Sequence, residues 1–160
     1  GTHPTTRLSL QALELSLRGN ETVYDVGCGS GVLSIAAKLF GAKTVTAFDL
    51  DQVAVDKAKE NFALNPIAKD IKVQPNDLLA GITEPVDVIV ANILADIIIR
   101  MLPDASRLLK KEGTMILSGI IEDKEEDVID ALYENGFSIV ETLRQGDWLG
   151  LIVKFSEQEV

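Results

Sequence analysis

An eight-residue stretch decides the fold of this chain: Tyr24-Asp25-Val26-Gly27-Cys28-Gly29-Ser30-Gly31. A short run of strand-forming residues over 22–26 leads into three glycines at alternate positions, and an apolar helical run over 32–40 follows them. Glycines suit this turn because it needs backbone angles that a Cβ disfavours, and because a ligand can then lie against the main chain. The stretch therefore predicts a strand, a tight turn and a helix start, with a nucleotide-like ligand at the turn.

The spacing and charge around these glycines distinguish between ligands. A dinucleotide fingerprint, G-x-G-x-x-G, would need a glycine where Val32 or Ser34 stands. Asp25, two residues before Gly27, would repel a pyrophosphate at the mouth of the loop but would attract an ammonium group. Asp49 ends the next apolar run, 22 residues after Gly27, where a Rossmann-type site places the acid that binds ribose hydroxyls. S-adenosyl-L-methionine, which has an ammonium group and a ribose but no phosphate, is the cofactor that we predict.

The composition limits the classes of function. The chain has 160 residues, of which 46% are hydrophobic, and this is enough for one domain with a buried core. Its 15 basic and 25 acidic residues give a net charge of −10, which disfavours direct nucleic-acid binding. This charge would attract a basic protein, although an acidic balance more often serves solubility alone. The only cysteine, Cys28, leaves no internal disulfide or cysteine-rich metal site and suits a reducing cytosol. We expect a cytoplasmic protein with no metal and no membrane-spanning segment.

Hydrophobic periodicity divides the chain into alternating strands and helices. Strands are predicted over 22–26, 44–48, 71–74, 86–91, 115–117, 138–143 and 148–155. A helix ending at Gly19 precedes the first strand, Pro103 should kink or divide a later helix, and Gly113 and Gly119 should bound the fifth strand. The last two strands are predicted to form a hairpin. The pattern predicts an α/β fold: a Rossmann-like, doubly wound, seven-stranded, mainly parallel sheet with one antiparallel strand near its edge and helices on both faces.

Candidate binding residues stand at the ends of four predicted strands. They are Gly27, Asp49, Asp77 and Asn92. Ligands of doubly wound sheets bind at the carboxyl ends of the strands, so these dispersed residues should converge on one site. A structural alternative fits two of the positions equally well, since Asp49 could be an N-cap or turn acid and Asn92 a polar cap on the following helix.

Four segments carry a resemblance to a known family. They are Gly1-Thr2-His3-Pro4-Thr5-Thr6 with Arg7 following, Asp25-Val26-Gly27-Cys28-Gly29-Ser30-Gly31, Phe48-Asp49-Leu50-Asp51, and Val90-Ala91-Asn92-Ile93-Leu94-Ala95. Over essentially its whole length the chain resembles the ribosomal protein methyltransferases that act on large-subunit ribosomal protein eleven, which are class I S-adenosylmethionine-dependent enzymes. Many class I methyltransferases share the second segment, whereas the first and last together are much more specific.

The resemblance assigns roles to individual residues. It implies cofactor contacts from Thr6, Gly27, Asp49 and Asn92, and the broader class adds Asp77, where an acid often meets the exocyclic amine of adenine. Asp25 and Gly29 complete the predicted cofactor site from the glycine stretch itself. A threonine beside a proline is also an ordinary helix-start residue, which is the structural alternative for Thr6. Several amino- and amide-directed methyltransferases have Asn-Pro-Pro-Tyr where this chain has residues 92–95, and its absence argues against adenine and glutamine as substrates.

The resemblance also implies an activity: methyl transfer to lysine side-chain and/or N-terminal amines of the basic ribosomal protein. We predict that Asn92 orients the amine through its side-chain carbonyl, together with neighbouring backbone carbonyls, and assign no general base. The family carries an N-terminal substrate-recognition domain, whereas residues 1–160 correspond to a single catalytic domain. The alternatives are a lysine methyltransferase with a different protein substrate, a cofactor-binding fragment without turnover, and a nicotinamide dinucleotide-binding module.

Overall fold

The structure is a computed structural model that describes residues 3–157. Helices and strands alternate along most of the chain. The helices are α1 (Pro4–Ser16), α2 (Val32–Leu39), α3 (Gln52–Ala63), α4 (Ala95–Leu108) and α5 (Glu125–Glu134). The strands are β1 (Thr22–Val26), β2 (Thr44–Asp49), β3 (Lys72–Pro75), β4 (Val86–Asn92), β5 (Leu109–Ile121), β6 (Phe137–Gln145) and β7 (Trp148–Phe155). Short 3-10 helices cover Pro66–Ala68 and Glu122–Lys124.

Within residues 3–157 the strands form one seven-stranded sheet in the order β3-β2-β1-β4-β5-β7-β6. The strands from β1 to β5 pair in parallel, and β7 runs antiparallel to both of its neighbours, β5 and β6. The predicted architecture is therefore confirmed, including the single antiparallel strand next to the edge and the terminal hairpin. The order of the strands reverses between β1 and β4, which is the place where a doubly wound sheet opens a crevice for a ligand.

Alternating side chains of the central strands supply two separate cores. In β4, Ile89 and Ala91 pack with α4 and α5 on one face, whereas Val88 and Val90 pack with α1, α2 and α3 on the other. All four are almost completely buried. A parallel strand covered by helices on both faces needs such a continuous apolar run, and this run is the pattern that predicted β4.

Two predicted boundaries are wrong. Helix α4 is not divided at Pro103, whose ring lies on the exposed face while Met101, Leu102 and Ala105 are fully buried. A kink at Pro103, the other predicted outcome, stays a prediction. Helix α1 ends at Ser16 with Leu17 as its C-cap, before the predicted stop at Gly19.

The fifth strand is also longer than predicted, because it runs through both glycines. A Cβ on Gly113 would lie 2.8 Å from the carbonyl oxygen of Asp87, and one on Gly119 would lie 2.5 Å from that of Ile93. These glycines allow β5 to approach its neighbours closely rather than ending the strand. No helix in the described part of the chain is long and apolar enough to cross a membrane.

Candidate functional site

The three glycines after β1 all have left-handed backbone angles, with φ of 71° at Gly27, 54° at Gly29 and 89° at Gly31. A Cβ on Gly27 would lie 2.5 Å from the Ile93 side chain, and one on Gly31 would lie 2.5 Å from the Phe62 ring. A Cβ on Gly29 would meet nothing within 4 Å. The outer glycines are therefore required by packing, whereas Gly29 faces the open side of the loop.

Four of the five backbone N–H groups over residues 27–31 have acceptors within the protein. Gly27 N and Cys28 N both donate to the Phe48 carbonyl, at 2.8 and 2.9 Å. Gly29 N donates to Asp49 Oδ2 at 2.9 Å, and Gly31 N donates to the Cys28 carbonyl at 2.9 Å. A phosphate-binding loop works by aiming free N–H groups at its ligand. Because most of the N–H groups here are bonded internally and the Asp49 carboxylate lies beside the loop, this turn suits a ligand that brings its own donors.

Asp49, the last residue of β2, connects the loop to the next helix. Its Oδ2 accepts from Gly29 N, and its Oδ1 accepts from Asp51 N at 3.0 Å. Asp51 is the N-cap of α3 and accepts from Val53 N at 2.9 Å, as predicted. Asp49 is thus a turn acid, as the structural alternative proposed. A carboxylate has about four lone-pair sites, however, so this half-buried group retains acceptor capacity for ligand hydroxyls.

Asp25 lies beneath the loop rather than open at its mouth. Its side chain is only 1% exposed, and its Oδ2 accepts from Ser34 Oγ at 2.7 Å. Burial raises the pKa of the Asp25 carboxyl group to about 6, the Ser34 hydrogen bonds oppose this increase, and the charge of Asp49 adds to it. The expectation of a carboxylate exposed to the ligand is wrong in this respect, because the sequence did not reveal that α2 covers it.

Cys28 is a small, buried side chain in the turn. Burial, with further contributions from Asp25 and Asp49, raises the pKa of its thiol to about 12. The thiol is therefore neutral at physiological pH and is not an activated nucleophile. No cluster of three or more potential metal ligands occurs within residues 3–157.

Asn92 ends β4 on the other side of the crevice from the loop. The N-cap of α4 is Leu94, which has no side-chain capping bond, so Asn92 is not the helix cap that the structural alternative required. A Cβ on Gly119 would lie 3.1 Å from Asn92 Oδ1 and 2.5 Å from the Ile93 carbonyl oxygen. Two acceptor oxygens therefore lie together at the edge of the sheet, and Gly119, with a φ of 87°, makes room for them.

The first turn of α1 reaches this same edge. Ser9 Oγ donates to the Thr5 carbonyl at 3.0 Å and accepts from the Ser118 hydroxyl, and both serine side chains are fully buried. Ser118 pairs with Asn92 in the sheet, which places α1 beside the candidate site. Thr6 precedes Ser9 by three residues, so it lies about 4.5 Å further along the helix toward its N-terminus.

His3 begins α1 as its N-cap. Its Nδ1 accepts from Thr5 N at 3.2 Å, and its ring packs edge-on against Trp148 with 5.2 Å between the ring centroids. Two residues of the first resemblance segment, Gly1 and Thr2, lie outside the described residues.

Asp77 lies at the margin of the site. It follows β3 by two residues, is exposed, and its Oδ1 lies 3.5 Å from Arg100 Nη1 on α4. The structure thus bonds Gly29 to Asp49, packs Gly27 against Ile93, the residue after Asn92, and buries Asp25. Asp77 lies at the margin, and Thr6 lies in the first turn of α1.

Sequence reasoning missed several residues that build this edge. Ile93 packs on Gly27, Ser34 binds Asp25, and Ser118 joins α1 to β5. Of these residues, only Ile93 could have been predicted from the sequence, because it is adjacent to Asn92. Two surface clefts, of about 850 and 330 Å³, lie elsewhere and contain none of the predicted site residues.

Comparison with known proteins identifies close relatives. Residues 1–156 match the family model described as "Ribosomal protein L11 methyltransferase (PrmA)". The chain is 64% identical to the ribosomal protein L11 methyltransferase of Pediococcus pentosaceus over 95% of its own length and 48% of that protein. It is 63% identical to the Enterococcus faecalis protein of the same name over 99% of its own length and 50% of that protein. The chain therefore spans about half the length of these relatives.

Solved structures are similar over almost the whole chain. The crystal structure of a ribosomal protein L11 methylase from Lactobacillus delbrueckii subsp. bulgaricus has a TM-score of 0.94 and 41% identity, covering 98% of this chain and 81% of that one. A protein of the NADB-Rossmann superfamily from Streptococcus agalactiae, at 21% identity, has a TM-score of 0.77 and covers 95% of this chain and 69% of that one. The second similarity shows the Rossmann-like fold alone.

Proposed function

The chain belongs to the ribosomal protein L11 methyltransferase family, and from this membership we propose that it binds S-adenosylmethionine and transfers the methyl group to amines of ribosomal protein L11. The acceptor character of the glycine loop is the observation that carries the cofactor assignment. Its four internally bonded N–H groups and the adjacent carboxylates would bind a diphosphate poorly. The ammonium, ribose hydroxyls and adenine amine of S-adenosylmethionine are all hydrogen-bond donors.

We propose that different residues at the carboxyl ends of the strands bind different parts of this cofactor. Asp49 would accept from the ribose hydroxyls, and Gly29 leaves open space for the ligand above the loop. Asp77 would accept from the adenine amine. Thr6 and the Asp25 carboxylate beneath Gly27 would serve the methionine end, where Asp25 acts as a nearby negative charge.

When bound, S-adenosylmethionine supplies an electrophilic methyl group that leaves its sulfur by in-line displacement. The protein must therefore place an amine lone pair on the axis of the sulfur–methyl bond. Asn92 Oδ1 and the Ile93 carbonyl oxygen can both accept N–H bonds from a neutral amine, which would fix the direction of its lone pair. Binding through two acceptors positions the nucleophile without a charged partner.

The amine must be unprotonated before it can attack. A lysine side chain has an unperturbed pKa of about 10.4, so most of it is protonated at neutral pH. Removing the amine from water lowers its pKa because burial disfavours the charged form. Neutral acceptors such as Asn92 do not stabilise the ammonium ion as a carboxylate would, and this is why we assign no general base.

We propose that residues 1–160 form the catalytic half of the family's architecture, with substrate recognition residing in a separate N-terminal domain of longer relatives. The net charge of −10 suits a basic ribosomal protein as substrate rather than direct contact with nucleic acid. A ribosomal protein as substrate and the single cysteine both favour a cytoplasmic location for the proposed activity.

Calorimetric titration tests the cofactor assignment. We expect the chain to bind S-adenosylmethionine and not NAD, and Asp49→Ala to weaken that binding about tenfold or more because a ribose acceptor is lost. Asp56→Ala, which removes an exposed carboxylate from α3, is the matched control and should bind as the parent does. Binding of NAD, or equal affinity in Asp49→Ala, would contradict the assignment.

Transfer from labelled S-adenosylmethionine to purified L11 tests the activity. We expect label in L11 amines. Label in another lysine-rich protein but not in L11 would favour a different protein substrate, whereas cofactor binding without transfer would favour a cofactor-binding unit.

A further inference from the structure

Leu94 is an unusual residue for its position. It is the N-cap of α4, it makes no side-chain capping bond, and 69% of its surface is exposed. N-cap positions favour serine, threonine, aspartate and asparagine, because their side chains accept from the free N–H groups of the first turn. Helix α3 follows this rule through Asp51, which accepts from Val53 N at 2.9 Å.

Leu94 therefore costs stability twice: the first turn of α4 has no side-chain acceptor, and a large apolar side chain faces water. Local rules of folding are broken most often at functional sites, where another requirement selects the residue. The backbone here is well fixed, because the Leu94 carbonyl accepts from Ile97 N at 3.0 Å and from Ile98 N at 2.9 Å. The backbone from which this exposed side chain projects thus has a fixed position at the start of α4.

That place is next to the proposed amine site. Leu94 follows Asn92 by two residues, directly after Ile93, which contacts the glycine loop. On the neighbouring strand β5, Ile121 is 40% exposed, three residues beyond the Ser118 that pairs with Asn92. Two exposed apolar side chains, Leu94 and Ile121, therefore stand within three residues of the pair Asn92 and Ser118.

We propose that Leu94 is a specificity-determining residue that contacts the methylene stem of the substrate amine. The inference rests on the proposed methyl-transfer function and deepens it. An amine at the end of a linear apolar stem, such as a lysine side chain, places its nitrogen at Asn92 and its methylenes against Leu94. An α-amine has no such stem and gains nothing from this contact.

Small amines test the contact without needing a protein substrate. The 160-residue chain is given labelled S-adenosylmethionine with n-butylamine or with methylamine, at equal concentrations of the unprotonated forms. We expect kcat/KM to be about tenfold higher for n-butylamine, because three additional methylenes are partly removed from water. Leu94→Ser should reduce this ratio to about one, and Leu94→Met, which keeps the apolar volume, should retain most of it.

Leu64→Ser is the matched control, since Leu64 is also a helix-cap leucine, 83% exposed, but lies at the end of α3. It should leave the ratio unchanged. Leu94→Ser should unfold at a temperature no lower than the parent, because serine is the better N-cap, and should bind S-adenosylmethionine equally well.

The outcomes separate this inference from the function on which it rests. An active parent without a chain-length preference, or a preference that survives in Leu94→Ser, would overturn only the role of Leu94. Absence of transfer to either amine and to L11 would overturn the methyl-transfer function, and the stem contact with it.

Discussion

Two aspartates on adjacent strands have opposite environments. Asp87, near the start of β4, accepts from Thr22 N at 2.9 Å and Thr22 Oγ1 at 3.1 Å, and it lies 3.1 Å from Lys110 Nζ. Partial burial alone would raise its pKa, but these donors and the lysine charge lower the pKa overall. Asp25, near the end of β1, has Ser34 as its side-chain donor, and burial raises its pKa to about 6.

The difference distinguishes the two ends of the parallel strands: the amino edge of the sheet, where they begin, and the carboxyl edge, where they end. At the amino edge a carboxylate is fully supplied with donors and fastens β1 to β4. At the carboxyl edge each oxygen of the half-buried Asp49 accepts one bond from a backbone N–H, and Asn92 Oδ1 accepts none from the described residues. An edge that keeps acceptor capacity is suited to a ligand rich in donors, whereas an edge whose groups are satisfied serves the fold. Substitutions at the two edges should therefore affect different quantities.

The largest expected effect is that of Asn92→Ala at the carboxyl edge. Loss of an acceptor that orients the amine should reduce kcat for methyl transfer about 100-fold or more. The free energy of unfolding should change by less than about 1 kcal/mol, because the side chain is only half-buried. Single-turnover kinetics and urea denaturation measure the two quantities. Unchanged kinetics would remove Asn92 from the mechanism.

Asp87→Asn should produce the converse result. The substitution keeps the shape of the side chain but removes the charge that binds the Thr22 donors and Lys110. We expect the free energy of unfolding at pH 7 to fall by about 1–2 kcal/mol, with cofactor affinity unchanged. The stabilisation from Asp87 exists above the usual aspartate pKa and disappears as pH falls through its lowered folded-state pKa. If Asp87→Asn lost cofactor affinity but kept its free energy of unfolding, the proposed difference in role between the amino and carboxyl edges would be wrong.

Asp25→Asn should have a smaller effect on stability than Asp87→Asn, and of opposite sign. Between pH 4 and about 6 the folded parent still binds a proton that the unfolded chain has released, so stability falls as pH rises through this window. The variant cannot titrate and should lack this slope. At pH 8 we expect it to be more stable than the parent by about 1 kcal/mol, since no charge is buried. Parallel pH profiles for the two proteins would show that Asp25 is not a buried, destabilised carboxylate.

The sequence predicted those features that depend on neighbours along the chain. Strands β1 and β7 begin and end where periodicity placed them, and Asp51 caps α3 as its position indicated. Asp49 and Asn92 lie at one edge because parallel strands point their carboxyl ends the same way. Their roles toward a cofactor and an amine remain predictions.

Features that depend on distant contacts were not predictable in this way. Gly113 and Gly119 are of a residue type that often ends a strand. They nevertheless lie within β5, because carbonyl groups of other segments approach them closely. The Ser9–Ser118 hydrogen bond joins residues 109 positions apart, and nothing in either local pattern indicates it. The burial of Asp25 likewise depends on how α2 packs over the sheet.

The hydrogen bonds of the glycine loop bear on how the proposed catalytic cycle would proceed. Because Gly27 N and Cys28 N both donate hydrogen bonds to the Phe48 carbonyl, strand β2 fixes the conformation of the turn independently of any ligand. Binding of S-adenosylmethionine and release of its demethylated product would then require no reordering of this segment. The loop would keep one conformation throughout the cycle, so its ordering would not limit the rate of turnover.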